Sequence, residues 1–185
     1  AKGVPFIYQG EEFGTADFIP ERLEDIHDVQ GLTNYEAAIE CGLDSASALQ
    51  VAIDKSRDKS RYPLQWDDSE FGGFSSRQPW LNIKSLEHES TAKAEISNHD
   101  GIYQHYLSLI SLRSNNVALR KGEYKKVTAD DELVYILRYY EEEYIGVYIN
   151  FSNDTKTVTI PREAVIIFGK NCTHLKKNEF LIFKQ

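Results

Sequence analysis

Four groups of residues in this sequence have types and spacings that can do chemistry. Glu11 and Glu12 are adjacent carboxylates shortly after an apolar run, Val4-Pro5-Phe6-Ile7-Tyr8. Paired carboxylates cleave a sugar acetal when they flank the bond, at about 5 Å or more from each other. Neighbours on one loop rarely straddle a substrate in that way. Spacing alone therefore favours one glutamate as a ligand of its own loop and the other as solvated. Arg57-Asp58 and Arg61 stand before Tyr62-Pro63-Leu64-Gln65-Trp66-Asp67. A guanidinium is a planar donor fork that suits hydroxyls or carboxylates, and it serves equally in a surface ion pair. Trp66 and Trp80 offer flat faces for stacking on a ring, although packing is the commoner use of Trp. Asn98-His99-Asp100 joins an amide, an imidazole and a carboxylate. Tyr135, Tyr139, Tyr140, Tyr144 and Tyr148 could hold a ring as well, but cross-strand aromatic packing is the simpler account.

The elements that must position these groups can be read from periodicity. Residues 4–8 are a short continuous apolar run, which suits a strand buried on both faces in a parallel sheet. Gln9-Gly10-Glu11-Glu12-Phe13-Gly14 would then sit at the strand's C-terminal end, the end that faces the active site in a barrel. Residues 34–41 and 44–54 have helical character, with Asp44-Ser45 as N-cap of the second and Gly42 ending the first. Residues 55–82 hold two Trp, two Pro and the pair Gly72-Gly73, with little periodicity. A long aromatic stretch of that kind reads as an ordered functional loop. Ile102, Tyr103, Tyr106, Leu107, Ile110 and Leu112 mark a helix over 101–114, and Asn98-His99-Asp100 directly before it reads as its N-cap. From about residue 120 the period becomes two. Residues 133–140 and 144–149 form a hairpin, followed by strands at 157–160, 164–168 and 180–183. The expected organisation is two domains, 1–117 and 118–185, the second an antiparallel sandwich.

Composition narrows the field of functions. The chain has 185 residues and a formal net charge of −8. That balance disfavours nucleic acid and anionic membrane surfaces as partners. Cys41 and Cys172 are two lone cysteines, expected as buried free thiols of a cytoplasmic protein. The five histidines have no metal-ligand spacing, and no metal or cofactor is expected. No apolar run reaches the ~18 residues of a membrane span. Ala1-Lys2-Gly3-Val4-Pro5 does not read as a signal peptide. It reads as though the chain had been cut from something longer.

The motifs together resemble the oligo-1,6-glucosidase, dextran glucosidase and trehalose-6-phosphate hydrolase group of the α-amylase family. Residues 3–14, Gly-Val-Pro-Phe-Ile-Tyr-Gln-Gly-Glu-Glu-Phe-Gly, resemble that group's last barrel strand. Residues 57–67, Arg-Asp-Lys-Ser-Arg-Tyr-Pro-Leu-Gln-Trp-Asp, resemble its R-D-N-[AS]-R-T-P-M-Q-W-D. Gly72-Gly73-Phe74-Ser75 and Pro79-Trp80 resemble the elements that follow. Lys59, Tyr62 and Leu64 depart from the pattern, and Asp28-Val29-Gln30 stands where the group often has Asp-Ile/Val-Glu.

The resemblance implies an α+β chain: the last strand and helices of a (β/α)8 barrel over 1–117, then an antiparallel β-sandwich domain. It implies the C-terminal part of a retaining α-glucosidase acting on terminal α-glucosidic bonds of short saccharides. A full barrel needs roughly 250 residues. The nucleophilic Asp, the acid/base Glu and the family's functional Asn-His-Asp would lie upstream of Ala1, so no catalytic residue is expected here. Asn98-His99-Asp100 follows the strand-eight motif and takes no catalytic part. Arg61 matches the family arginine that binds glucose hydroxyls, with Glu11 and Glu12 as further substrate-binding candidates. The expected partner is an oligosaccharide in the full-length protein. The piece alone is expected to be inactive, and to self-associate or rearrange its N-terminal half. The rival reading is a non-catalytic carbohydrate-binding or interaction module on the same fold.

Overall fold

The computed structural model describes residues 2–81 and 91–185. Residue 82, the last of the expected loop, and His88 lie outside the described residues. The chain forms two compact units, one of Phe6–Leu107 and one of Ser108–Gln185 with the residues up to Pro5.

In the first unit, α1 (Val29–Glu40) and α2 (Ser45–Lys55) pack on each other. The Asp44 carboxylate accepts the N–H groups of Ala46 and Ser47 at 3.0 Å each, so the expected cap is present. Leu43 N–H donates to Ala38 O and Gly42 N–H to Ile39 O, which satisfies the last carbonyls of α1. α1 begins at Val29, not at 34. Gly31 lies inside α1 as a point of contact: a Cβ there would meet Ile26 Cγ2 at 2.9 Å and the Ala52 carbonyl at 3.2 Å. The lack of a side chain lets α2 approach. Short α3 (Ala92–Ser97) follows, then α4 (Ile102–Asn115), which runs across the division between the units. Phe13, Leu64 and Ala92 form one core cluster, with Tyr103 stacked on Phe13 at 5.5 Å. Phe18, Tyr62 and Leu81 form another.

Two expectations are corrected. Residues 4–8 belong to no helix or sheet, and Phe6 is 93% exposed. A parallel strand exists only as a member of a ladder, and among the described residues no strand pairs with it. The start of α4 is also not capped by Asp100. Glu95, buried at the end of α3, accepts the Tyr103 N–H on Oε1 at 3.3 Å. A carboxylate from the preceding helix does the capping because the chain doubles back at Asn98, whose carbonyl accepts Gly101 N–H.

The second unit is built on a five-stranded antiparallel sheet. Its strands are β1 (Glu123–Asp130), β2 (Leu133–Tyr140), β3 (Glu143–Asn150), β5 (Val165–Gly169) and β7 (Phe180–Lys184), ordered β1-β2-β3-β7-β5. β4 (Lys156–Thr157) and β6 (His174–Leu175) form a two-stranded ribbon. The sheet is covered differently on its two faces. Leu181 and Phe183 pack with Val158 and Leu175 at the ribbon. Ile145 and Ile182 pack with Leu109 and Leu112 of α4 and with Ala118 and Leu119 of α5 (Val117–Lys121). Sheet-on-sheet packing is thus limited to a two-stranded ribbon, and helices fill the opposite face.

The tyrosines pack across strands. Tyr135 pairs with Tyr148 and Tyr139 with Tyr144, with ring centroids 4.4 and 6.0 Å apart. Arg138 is buried and donates to the carbonyls of Leu119 and Gly122 at 2.6 Å each, closing the end of α5. Cys172 is half-buried and its thiol donates to His174 O, but Cys41 is exposed on the surface just past α1, so the expectation of two buried thiols fails. Among the described residues no helix is long and apolar enough to cross a membrane.

Opposite Leu137, Gly146 leaves the space that the Phe183 ring fills: a Cβ there would lie 2.1 Å from Phe183 Cζ. Gly146→Ala should therefore destabilise this unit by about 1–3 kcal/mol through overpacking. Urea unfolding followed by the sheet's circular dichroism measures it, and an unchanged midpoint would contradict the packing described.

Candidate functional site

The segment after residue 8 turns sharply. Tyr8 O accepts Glu11 N–H, and a single 3-10 turn covers Glu11–Phe13. Phe13 is buried and anchors the turn from below. The two glutamates have different duties. Glu12 folds back, and its Oε2 accepts Gly10 N–H at 2.9 Å. Glu11 accepts Tyr8 N–H at 3.2 Å from an exposed position.

The arginine segment is fixed by buried carboxylates. Asp58 is 1% exposed, and its Oδ2 accepts the backbone N–H groups of His27 and Asp28 at 2.7 Å each. Asp28 is 5% exposed and works in the opposite direction. It accepts the Arg57 backbone N–H at 2.9 Å, Nε at 3.0 Å and Nη2. The guanidinium fork holds the Asp28 carboxyl well below the usual carboxylate range, against burial, which pushes the other way. Residues 27–28 and 57–58 are therefore cross-linked twice by charge-assisted hydrogen bonds. A 3-10 turn at Asp58–Ser60 follows, and Arg61 N–H donates to Asp58 O at 3.0 Å. Phe18 N–H donates to Lys59 O, and Tyr62 Oη donates to Ala16 O at 2.6 Å. Those bonds bring the stretch after the glutamate turn against the arginine segment.

Between the two lies a cleft of about 470 Å³ whose lining includes Tyr8, Glu11, Asp17, Arg57, Arg61 and Tyr62. Arg61 is exposed. Among the described residues no hydrogen bond or ion pair holds its guanidinium, so its fork is open to a ligand. Of the three candidates, Arg61 and Glu11 come together at the cleft, and Glu12 does not line it. Trp66 and Trp80 do not line it either. They are 49% and 61% exposed, so the expectation that both are packed is overturned. Trp80 meets His27 edge-on at 5.8 Å. The loop after Trp66 closes on itself, with Trp66 N–H donating to Gly72 O at 2.7 Å and Asp67 accepting Ser69 N–H. The Ser69 bonds hold the Asp67 carboxyl below its usual value.

Sequence reading missed the partner of Arg57. Asp28 drew notice only as part of a short motif, and nothing in its spacing showed that it turns inward. Asp17 also lines the cleft without a sequence signal, and Tyr8, read only as part of the strand-like run and motif, lines it too.

The cleft sits in a member of a known family. The match to the family described as alpha amylase, catalytic domain, spans residues 1–122, and the chain belongs to that family. Among curated relatives, it is 33% identical over 164 residues to an oligo-1,6-glucosidase of Bacillus cereus, covering 88% of this chain and 29% of that protein. Among solved structures, it matches Bacillus licheniformis trehalose-6-phosphate hydrolase with a TM-score of 0.84 at 26% identity, covering 99% of this chain and 36% of that one. The trehalulose synthase of Pseudomonas mesoacidophila matches with a TM-score of 0.83 at 28% identity and the same coverages. The chain spans about a third of the length of these relatives.

The Asp28–Arg57 pair makes the helical unit sensitive to acid. Its folded pKa lies below the unfolded value of about 4, so its contribution is present above that value and lost as pH falls through the folded one. Asp28→Asn should lower stability at neutral pH by about 1–3 kcal/mol and flatten the acid limb of the stability curve. Unfolding midpoints of both proteins across the acid range test this. Parallel acid limbs would show that the pair is not the sensor.

Proposed function

We propose that this chain is the C-terminal part of a retaining α-glucosidase that hydrolyses terminal α-glucosidic bonds of short, α-1,6- or α-1,1-linked saccharides. The observation that carries it is the uncommitted Arg61 guanidinium in a cleft on a scaffold that follows sugar-active enzymes along its whole length. A planar donor fork can hold two adjacent ring hydroxyls. Fixing the ring in this way aligns the scissile bond for double displacement. Glu11, on the same cleft, is placed to accept from a further hydroxyl. The proposal gives this chain the substrate-holding part of the site and assigns it no catalytic carboxylate. The parent is taken as a cytoplasmic hydrolase without a metal requirement.

Two measurements test the reading. The chain alone should release no glucose from isomaltose. In the full-length protein, Arg61→Lys should lower kcat/KM about 10²-fold, since a small misplacement of the ring is enough. Release by the chain alone, or full activity of the variant, would sink the proposal. Glucose binding without turnover by the full-length protein would favour a non-catalytic binding module.

The proposal extends to how the chain behaves alone. Val4, Phe6 and Tyr8 are exposed on a segment outside any helix or sheet. Such a segment favours pairing with another chain. Size-exclusion chromatography should show concentration-dependent self-association that Phe6→Lys shifts towards monomer. A clean monomer whose amides at 4–8 are protected from exchange would contradict this.

A further inference from the structure

Trp80 is 61% exposed, and the His27 imidazole meets it at 5.8 Å with ring planes 65° apart. Both side chains leave from backbone that is held fast. The next residue after Trp80, Leu81, is buried in the cluster of Phe18 and Tyr62. His27 N–H donates to the buried Asp58 carboxylate at 2.7 Å. Ile19 and Val29 add exposed apolar surface, and each follows a buried residue, Phe18 and Asp28. An indole that served only to fill the core would lie where Leu81 lies, out of water. The fold buries Leu81 instead and leaves its neighbour's ring outside, on an anchored stem beside an imidazole.

That pairing suits a sugar ring. One face of a pyranose is a sheet of C–H groups, which packs on an aromatic face. Its rim carries hydroxyls, which an imidazole nitrogen can donate to or accept from. The stems of the pair are joined to the segment that builds one wall of the cleft, His27 through Asp58 and Trp80 through the cluster of Leu81 and Tyr62. Neither His27 nor Trp80 lines the cleft itself. We propose that Trp80 and His27 form a second sugar contact outside the cleft, which takes one ring of a neutral oligosaccharide by stacking. It uses no residue of the cleft and so stands apart from the role given to Arg61. The anchored stems hold both rings in place before a ligand arrives, which limits the ordering cost of binding.

The chain has two Trp, so Trp66→Phe leaves Trp80 as its sole indole. Titration of that variant with isomaltotriose should shift the Trp80 fluorescence in a saturable way. Adding His27→Ala should weaken the apparent affinity roughly five-fold, the worth of one hydrogen bond. Adding Arg61→Lys should leave the Trp80 response unchanged. Trp80→Ala in the natural chain should leave the unfolding midpoint in urea where it was, because the ring fills no core. Absence of any shift overturns the proposal. So does a shift that Arg61→Lys abolishes, since the signal would then come from the cleft, or one that His27→Ala does not weaken. An emission change that follows chain concentration and not sugar means that a second copy covers the patch, and it too overturns the proposal. The side-chain Nε–H resonance of Arg61 separates the two readings. If isomaltotriose moves that resonance but not the Trp80 emission, this proposal falls and the cleft keeps its role. If it moves only the Trp80 emission, this proposal stands and the role of the cleft falls.

Discussion

The first unit depends on two buried carboxylates that need partners. Asp58 and Asp28 sit at 1% and 5% exposure. A carboxylate taken out of water is costly unless its oxygens are filled with donors. Asp58 finds them in the backbone of 27–28, and Asp28 in the backbone and side chain of Arg57. The two sets of bonds run in opposite directions between the same two stretches. They close the loop that contains α1 and α2 at its base, and they fix the turn from which Arg61 projects. The cleft has one wall because of that closure. Its other wall, the glutamate turn, is tied on through Ala16 and Phe18.

The second unit solves a similar problem with neutral acceptors. Arg138 is buried mid-strand, and its donors meet the carbonyls that α5 leaves open at its end. Asn150 is buried as well. Its amide donates to the carbonyls of Asp154 and Leu175, and its oxygen accepts from Ser152. These bonds pin the ribbon and the irregular stretch after β3 to the sheet. The apolar clusters on the two faces supply the bulk of the packing, and the polar pins select one arrangement of it.

Arg61 and Arg57 illustrate how the same residue type divides its work. Four positions apart in sequence, one is closed on a buried carboxylate and the other is open. The closed one ties two stretches of chain together, and the open one lines the cleft. The two glutamates divide in the same manner, Glu12 bracing Gly10 and Glu11 standing at the cleft. In each pair the sequence shows two equivalent groups, and local backbone geometry separates them.

Much of the second unit was legible. Runs of β-branched and aromatic residues separated by Glu141-Glu142-Glu143 placed the hairpin at 133–140 and 144–149 within a residue or two, because such side chains pack well on a pleated, half-buried surface. The Asp44 cap and the close of α1 were legible for the same reason, since they depend on neighbours within a few residues. The motif around Arg61 marked the family and the residue that stands at the cleft. What sequence could not decide were the long-range pairings. Asp28 meets Arg57 and Glu95 meets Tyr103 only because the chain folds back, and no local pattern encodes that. Gly31 is a point of close approach, visible only once α2 lies against it. The run 4–8 has the apolar continuity of a buried strand, but a strand is made by its neighbours, and in this structure none pairs with it. Local chemistry named the parts, and tertiary contact decided which of them were buried, which were closed on a partner, and which were left open to a ligand.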